Sequence, residues 1–217
     1  MDEAAVKAQV LDHIRQASGR RKPILTAELT LGTSGTRADV AVLSDEELIG
    51  LEIKTERDSL RRLPSQIEAY ARYFDHVVIV AAPCHFADLA EMDLHGASVW
   101  RSTKDGLDPL ISGQRNSVSP LAYLDLMTRQ EKKEVVAKGD ATVREHYFDT
   151  FTRRYGQTSL ALWRSVARRK IKPDDVRLLS RFNERRAAVQ AVVQEREERW
   201  QRWQNAYAGM EAMACTA

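Results

Sequence analysis

Cysteine is almost absent from this chain of 217 residues: Cys84 and Cys215 are the only two, and they share no metal-ligand spacing. A disulfide-stapled scaffold and a cysteine-rich metal site are therefore not expected, and a reducing compartment fits the pair. Long apolar runs are also missing, so no segment reads as a membrane span. The opening Met1-Asp2-Glu3-Ala4 leads into no apolar run before Arg15, unlike a signal peptide. The expectation is a cytoplasmic protein with no membrane partner. Net charge is small too, at +2, but it is unevenly spread. Residues 1–105 hold 13 Lys/Arg against 17 Asp/Glu, and residues 106–217 hold 20 against 14. The basic half suits a polyanionic partner, although arginine-rich surface helices give the same balance.

What is present is a globular composition, 43% hydrophobic and 29% charged. The length suffices for one large domain, or one with an appendage, whose core needs no covalent staple. Val6, Val10, Leu11 and Ile14 recur at helical spacing, which predicts an amphipathic helix over about 4–17. Strand-like runs follow at about 24–31, 37–43 and 47–55, joined by the short polar links Gly32-Thr33-Ser34-Gly35 and Ser44-Asp45-Glu46-Glu47, which predicts an antiparallel meander. A helical stretch at about 58–74 contains Pro64, where a break or a fresh start is expected. The continuous apolar run His76–Ala82 suits a strand buried on both faces. A short helix near 84–92 and a strand near 97–103 complete an α/β unit with a mixed sheet flanked by helices. The domain reading is a core over 1–105, a linker over 106–119 and a helical C-terminal region over 120–217, with helices at about 120–137, 141–155, 158–170 and 174–207.

Strand alternation singles out a set of charged residues. In the third run Ile49, Leu51 and Ile53 share one face, and Glu52 and Lys54 the other. In the second, Asp39 opposes Val40 and Val42. In the first, Leu25, Leu29 and Leu31 share a face, which leaves Glu28 with Thr26 and Thr30 on the other. Charges on central strands are costly unless they are paired or bind a cation. Strands about 4.8 Å apart bring Asp39 and Glu52 within reach of one hard cation. Mg²⁺ there, with Mn²⁺ as substitute and the main-chain carbonyl of residue 53 as a further ligand, would polarise a phosphate and activate water. Lys54 is placed to orient that water or stabilise developing charge. An outer sheet face with ordinary cross-strand ion pairs, each contributing about 0.2–1 kcal/mol, explains the spacing equally well.

Asp39 followed after a hairpin by Glu52-Ile53-Lys54 resembles the D…ExK signature of the PD-(D/E)XK nuclease superfamily, with Ala38 in place of its proline. Gln66-Ile67-Glu68-Ala69-Tyr70 is similar to the QxxxY element of the RecB-like and Cas4-like branches. The match covers about residues 24–82. It also resembles a small bacterial branch of that superfamily through Arg37–Val42 and Glu52–Leu63. The resemblance implies a restriction-endonuclease-like core and Mg²⁺-dependent hydrolysis of nucleic acid, DNA in the first instance. Asp39 and Glu52 would be metal ligands. Glu28 would be the additional acid, assisting the metal site or binding a second ion, with Glu3 on the first helix as the alternative. Lys54 would be catalytic, and Gln66 and Tyr70 would support the site. A non-catalytic module binding nucleic acid or a protein partner on the same fold is the competing reading, and homodimerisation stays open.

Arg61 and Arg62, between the ExK strand and the QxxxY helix, and the cluster Arg168-Arg169-Lys170-Ile171-Lys172 are the candidate phosphate contacts. Asp58 reads as a helix cap. Trp163 reads as core, and Trp200 and Trp203 are aromatic side chains suited to stacking on bases. Cys84, His85 and His95 do not make a soft-metal set. His13, His76 and His146 read as structural.

Overall fold

The computed structural model describes residues 1–138 and 143–179, together with 196, 197, 199–201, 203 and 204. Met1–Ser180 form one compact unit and Arg181–Ala217 a second. Helix α1 (Glu3–Ala17) leads into β1 (Ile24–Thr30), β2 (Arg37–Ser44) and β3 (Glu47–Lys54). Helix α2 (Leu63–Tyr73), β4 (His76–Ala81), α3 (Phe86–Ala90), β5 (Ser98–Ser102) and β6 (Leu107–Ile111) follow. Helices α4 (Pro120–Asp125), α5 (Arg129–Lys138) and α6 (Val143–Ser165) and a 3₁₀ segment Pro173–Leu179 close the unit. The six strands lie in sequence order; β3–β4 and β4–β5 are parallel and the other pairs antiparallel. This is the expected α/β class: an open mixed sheet flanked by helices, followed by helical segments.

Two apolar layers sandwich the sheet. On one face Tyr70 and Tyr73 of α2 pack with Tyr123, Tyr147 and Phe151 from α4 and α6. On the other, Val6, Val10 and Leu11 of α1 pack with Val40, Val42, Leu51, Ile53, Leu162 and Trp163. Helix α6 contributes to both layers because it passes the outer edge of β1. There the Ser159 hydroxyl accepts from the Leu25 N–H (2.8 Å) and lies 3.0 Å from the Leu25 carbonyl, covering polar groups that an edge strand otherwise exposes.

Pro64 occupies the first turn of α2, where its missing N–H costs nothing, and a 3₁₀ turn Leu60–Arg62 precedes it. Ser59, rather than Asp58, caps that turn; the Asp58 carboxylate instead accepts from the Thr55 N–H and hydroxyl. The β2–β3 link is a two-residue hairpin whose central residues Asp45 and Glu46 both have positive φ (48° and 62°), matching the twist of the strands.

The expected linker and the helical boundaries are drawn differently by the structure. Residues 107–111 form edge strand β6, where Pro109 is tolerated. The helices after 120 belong to the same unit as the sheet: Arg144 of α6 donates to buried Asp75 at 2.8 and 3.1 Å and to the Glu46 carbonyl at 2.8 Å. The first expected helix is two, because Thr128 and Glu131 restart it with reciprocal hydrogen bonds of the capping-box kind. The next two are one, because Gly156 lowers helix propensity without ending α6. Residues 173–179 are 3₁₀, and most of the expected 174–207 helix lies outside the described residues.

Gly50 sits where the first layer presses closest on β3. A Cβ there would lie 2.3 Å from Phe74 Cδ2, and Phe74 is fully buried. Gly50→Ala is expected to destabilise the fold by about 1–3 kcal/mol in chemical denaturation, through overpacking. A loss below about 0.5 kcal/mol would show that Phe74 has room to retreat.

Candidate active site

The site forms where the β2–β3 pairing ends, while β1 stays paired with β2 as far as Thr30 and Arg37. The Asp39 side chain replaces a rung of the β2–β3 ladder: its Oδ2 accepts from the Ile53 N–H at 2.8 Å, one residue beyond the last Val40–Leu51 pair. Glu52 and Lys54 share the α2 face of β3, as alternation predicts, and both are buried. Lys54 Nζ donates to Glu52 Oε1 (2.7 Å) and to Gln66 Oε1 (2.9 Å). Tyr70, one helical turn after Gln66, accepts from the Asp39 N–H (3.2 Å) and donates to Glu52 Oε2 (2.5 Å). One phenol thus bridges the two acidic strands. Burial, then the charges of Glu52 and Asp39, hold that phenol well above its usual range, so it stays a donor.

The other side of the site comes from α1. Glu28, with φ +60°, falls between the Ala27–Val40 and Leu29–Ala38 pairs of the β1–β2 register, as Asp39 does on the other strand. This left-handed residue breaks the alternation of β1: Leu25 packs in the α1 layer, and Leu29 and Leu31 in the α2 layer. The expected shared face for the three leucines is therefore wrong, since alternation fails at a residue outside the β region. That backbone state costs roughly 1–2 kcal/mol for an L-residue. It accompanies two ion pairs: Glu28 Oε1 with Lys7 Nζ at 2.6 Å and Oε2 with Arg37 Nε at 2.5 Å. Lys7 Nζ is also 2.6 Å from Glu3 Oε1. Glu3, Glu28 and Asp39 each offer an oxygen within 4.8 Å of the others. Both candidates for the additional acid are thus present, and both are bound to protein cations.

Burial and the nearby Glu52 charge raise the Asp39 carboxyl to about 7, against the opposing pull of the Ile53 N–H and Lys7. Lys7 is itself raised: burial would lower it, but Glu28, Glu3 and Asp39 outweigh that. Two carboxylates that resist joint ionisation, hard oxygen donors and an open polar cavity of about 550 Å³ fit a divalent cation. The cavity is lined by Glu3, Arg37, Asp39, Glu52, Lys54, Asp58, Arg62 and Gln66, among others.

Of the candidate phosphate contacts, Arg62 lines this cavity and Arg61, though exposed, does not. The 168–172 cluster lies elsewhere. Arg15 donates to the carbonyls of Val166 (2.8 Å) and Arg169 (2.7 Å), which fixes that segment at the far end of α1 from Glu3. Twelve residues of helix separate the two ends, about 18 Å. Arg169 is held bidentately by Asp175 at 2.6 and 2.7 Å, whereas Arg168, Lys170 and Lys172 are exposed. His85 is buried, with Nε2 donating to the Thr55 carbonyl at 2.7 Å, and is structural. Trp163 is core, and its indole N–H donates to the Pro23 carbonyl. Trp200 and Trp203, within the second unit, stack with ring centroids 5.1 Å apart.

Lys7 is the residue that sequence reasoning passed over. Its signals were a lysine on the apolar stripe of α1, between Val6 and Val10, and the i,i+4 spacing from Glu3.

The architecture and the pocket define an α/β protein with an acidic, lysine-containing site at the open end of its sheet. The chain belongs to the bacteriophage P4 protein cII family, whose profile matches residues 1–180, the span of the first compact unit. No curated protein matches it. A solved structure, a protein of unknown function from Silicibacter pomeroyi, is similar at 14% identity over 64% of this chain and 94% of that one, with a TM-score of 0.43. Among the described residues no helix is long and apolar enough to cross a membrane.

Proposed function

We propose that this protein is a Mg²⁺-dependent nuclease of the PD-(D/E)XK type, with a restriction-endonuclease-like core, that hydrolyses phosphodiester bonds in DNA. The observation that carries the reading is the joint placement of Asp39, Glu52 and Lys54 at one cavity, with Gln66 and Tyr70 holding Lys54 and Glu52. A plain ion-paired sheet face has no need of a buried phenol fixing a buried carboxylate beside a second carboxylate. Asp39 and Glu52 would hold the cation, with the residue-53 carbonyl as a further ligand. Once bound, it would polarise a phosphate oxygen and ease deprotonation of water. Gln66 aims the Lys54 ammonium, which stabilises charge building on the phosphate. Tyr70 keeps the Glu52 carboxylate turned to the site. Arg62 at the rim offers a backbone phosphate contact.

Calorimetry with Mg²⁺ or Mn²⁺ tests the ligand set: the wild type is expected to bind and Asp39→Asn to lose binding. Unchanged binding in that variant would remove Asp39 from the ligands. Cleavage of supercoiled plasmid and of labelled single strands under the same metals tests turnover. A protein that binds nucleic acid but cuts neither substrate would be the non-catalytic module instead.

A further inference from the structure

Three carboxylates converge on one point of this site, and an ammonium already stands there. Glu3, Glu28 and Asp39 present oxygens within 4.8 Å of one another, the spacing of ligands around a single cation. Lys7 Nζ touches Glu3 Oε1 and Glu28 Oε1, each at 2.6 Å. The lysine is only 5% exposed, and the apolar residues Val6, Val10 and Leu11 anchor its helix to the sheet, so the ammonium is not a surface charge that drifts away. The second oxygen of Glu28 is taken by Arg37. On the other side of Asp39, Glu52 has a lysine partner as well, but its second oxygen is held by a neutral phenol.

Glu3, Asp39 and Glu52 line one cavity, and Glu28 stands within ligand distance of the first two; such a set would ordinarily call for two divalent cations, as in sites that clamp both the attacking and the leaving oxygen. We infer that the Lys7 ammonium is a built-in substitute for the second cation, so that this site takes one divalent ion, between Asp39 and Glu52. The inference rests on the metal-dependent reading given above. The Lys7 ammonium, together with Arg37 on the second oxygen of Glu28, balances the two charges of Glu3 and Glu28. A divalent ion entering there would have to displace an ammonium whose own desolvation has already been met by two carboxylates. Deleting the ammonium leaves one oxygen each of Glu3, Glu28 and Asp39 facing one another, with Arg37 still on the second oxygen of Glu28, and a hard divalent ion fits that cage.

The test is the number of Mn²⁺ ions bound, read by calorimetry and by the loss of the free-ion spin-resonance signal, with Mn²⁺ alone as the probe. The wild type is expected to bind one ion and Lys7→Met two. The first site should keep its affinity to within about threefold, and the second should vanish again in Lys7→Met combined with Glu28→Gln. Glu3→Gln in the otherwise wild-type chain provides an arm that does not depend on the folding of the lysine variant: Glu3 is exposed, and binding should stay at one ion. Two ions in the wild type, one ion in a folded Lys7→Met, or a lost ion in Glu3→Gln would each overturn the inference while leaving the nuclease reading standing. No Mn²⁺ bound by any of these proteins would overturn both.

Discussion

Replacing Lys54 by alanine is expected to slow phosphodiester cleavage by about 10²–10³-fold, the usual loss when one preorganised charge-stabilising contact is removed. Substrate and metal binding should survive. The reason lies in when the contact is made. In the structure the ammonium is shared between Glu52 Oε1 and Gln66 Oε1, and Lys54, although buried, lines the cavity. Its gain appears as negative charge accumulates on the phosphate, so its loss falls on kcat more than on the dissociation constant. Removing it also strips Glu52, only 3% exposed, of its counter-charge. The metal-free variant should therefore unfold at lower temperature, and added Mg²⁺ should restore more stability to it than to the wild type. Lys54→Arg should not restore the rate, because a planar guanidinium cannot occupy the point between Glu52 and Gln66 and does not give up a proton. Rates and dissociation constants for the three proteins on one substrate decide the matter. Cleavage undiminished in Lys54→Ala would place the chemistry on other residues, and a defect confined to affinity would favour the binding module.

Period-two alternation on β3 located Glu52 and Lys54 correctly, because β3 is a central strand paired on both sides and leaves its residues little choice of face. The same rule failed on β1. That strand lies at the sheet edge, and Glu28 adopts a left-handed backbone state that nothing in its own sequence context announces; its ion pairs with Lys7 and Arg37 come from other elements. Gln66 and Tyr70 were legible because i,i+4 spacing on a short helix fixes a shared direction. Lys7 was not, since a single lysine in an apolar stripe reads as a snorkelling surface residue until the carboxylates that receive it are known. The helices after residue 120 were found as helices but not as part of the body. Their attachment depends on tertiary pairs such as Arg144 with Asp75 and Ser159 with Leu25, which lie 69 and 134 positions apart. β6 was hidden by Pro109 and by Leu110 and Ile111, which are exposed and carry no alternation.

Metal affinity should fall about fiftyfold between pH 7 and pH 5, with the slope approaching about tenfold per pH unit at the acid end, and should level off towards pH 8. The Asp39 carboxyl is raised from 3.8 to about 7, by burial first and by the Glu52 charge second, while the Ile53 N–H and Lys7 oppose the rise. A cation takes the ionised carboxylate, so below pH 7 it must displace a proton, and above pH 7 it need not. Stability of the metal-free protein should run the other way. The folded state holds the Asp39 proton more tightly than the unfolded chain does, so between about pH 4 and pH 7 it binds more protons. This group's contribution to stability is therefore present at the acid end of the window and is lost as pH rises through it. Saturating Mg²⁺ should flatten that trend across most of the same window, because the ion takes the place of the proton and its affinity rises with pH as the proton's contribution is lost. Asp39→Asn should flatten the metal-free profile, since the amide neither titrates nor repels Glu52. Calorimetry with Mn²⁺ at pH 5, 6, 7 and 8, repeated in buffers of different ionisation heat, measures affinity and released protons together. About one proton per ion is expected at pH 5 and almost none at pH 8. An affinity that does not change across this range, with no proton released at pH 5, would show that Asp39 is already ionised in the folded protein and that its burial beside Glu52 has been offset by some group other than the ones that face it here.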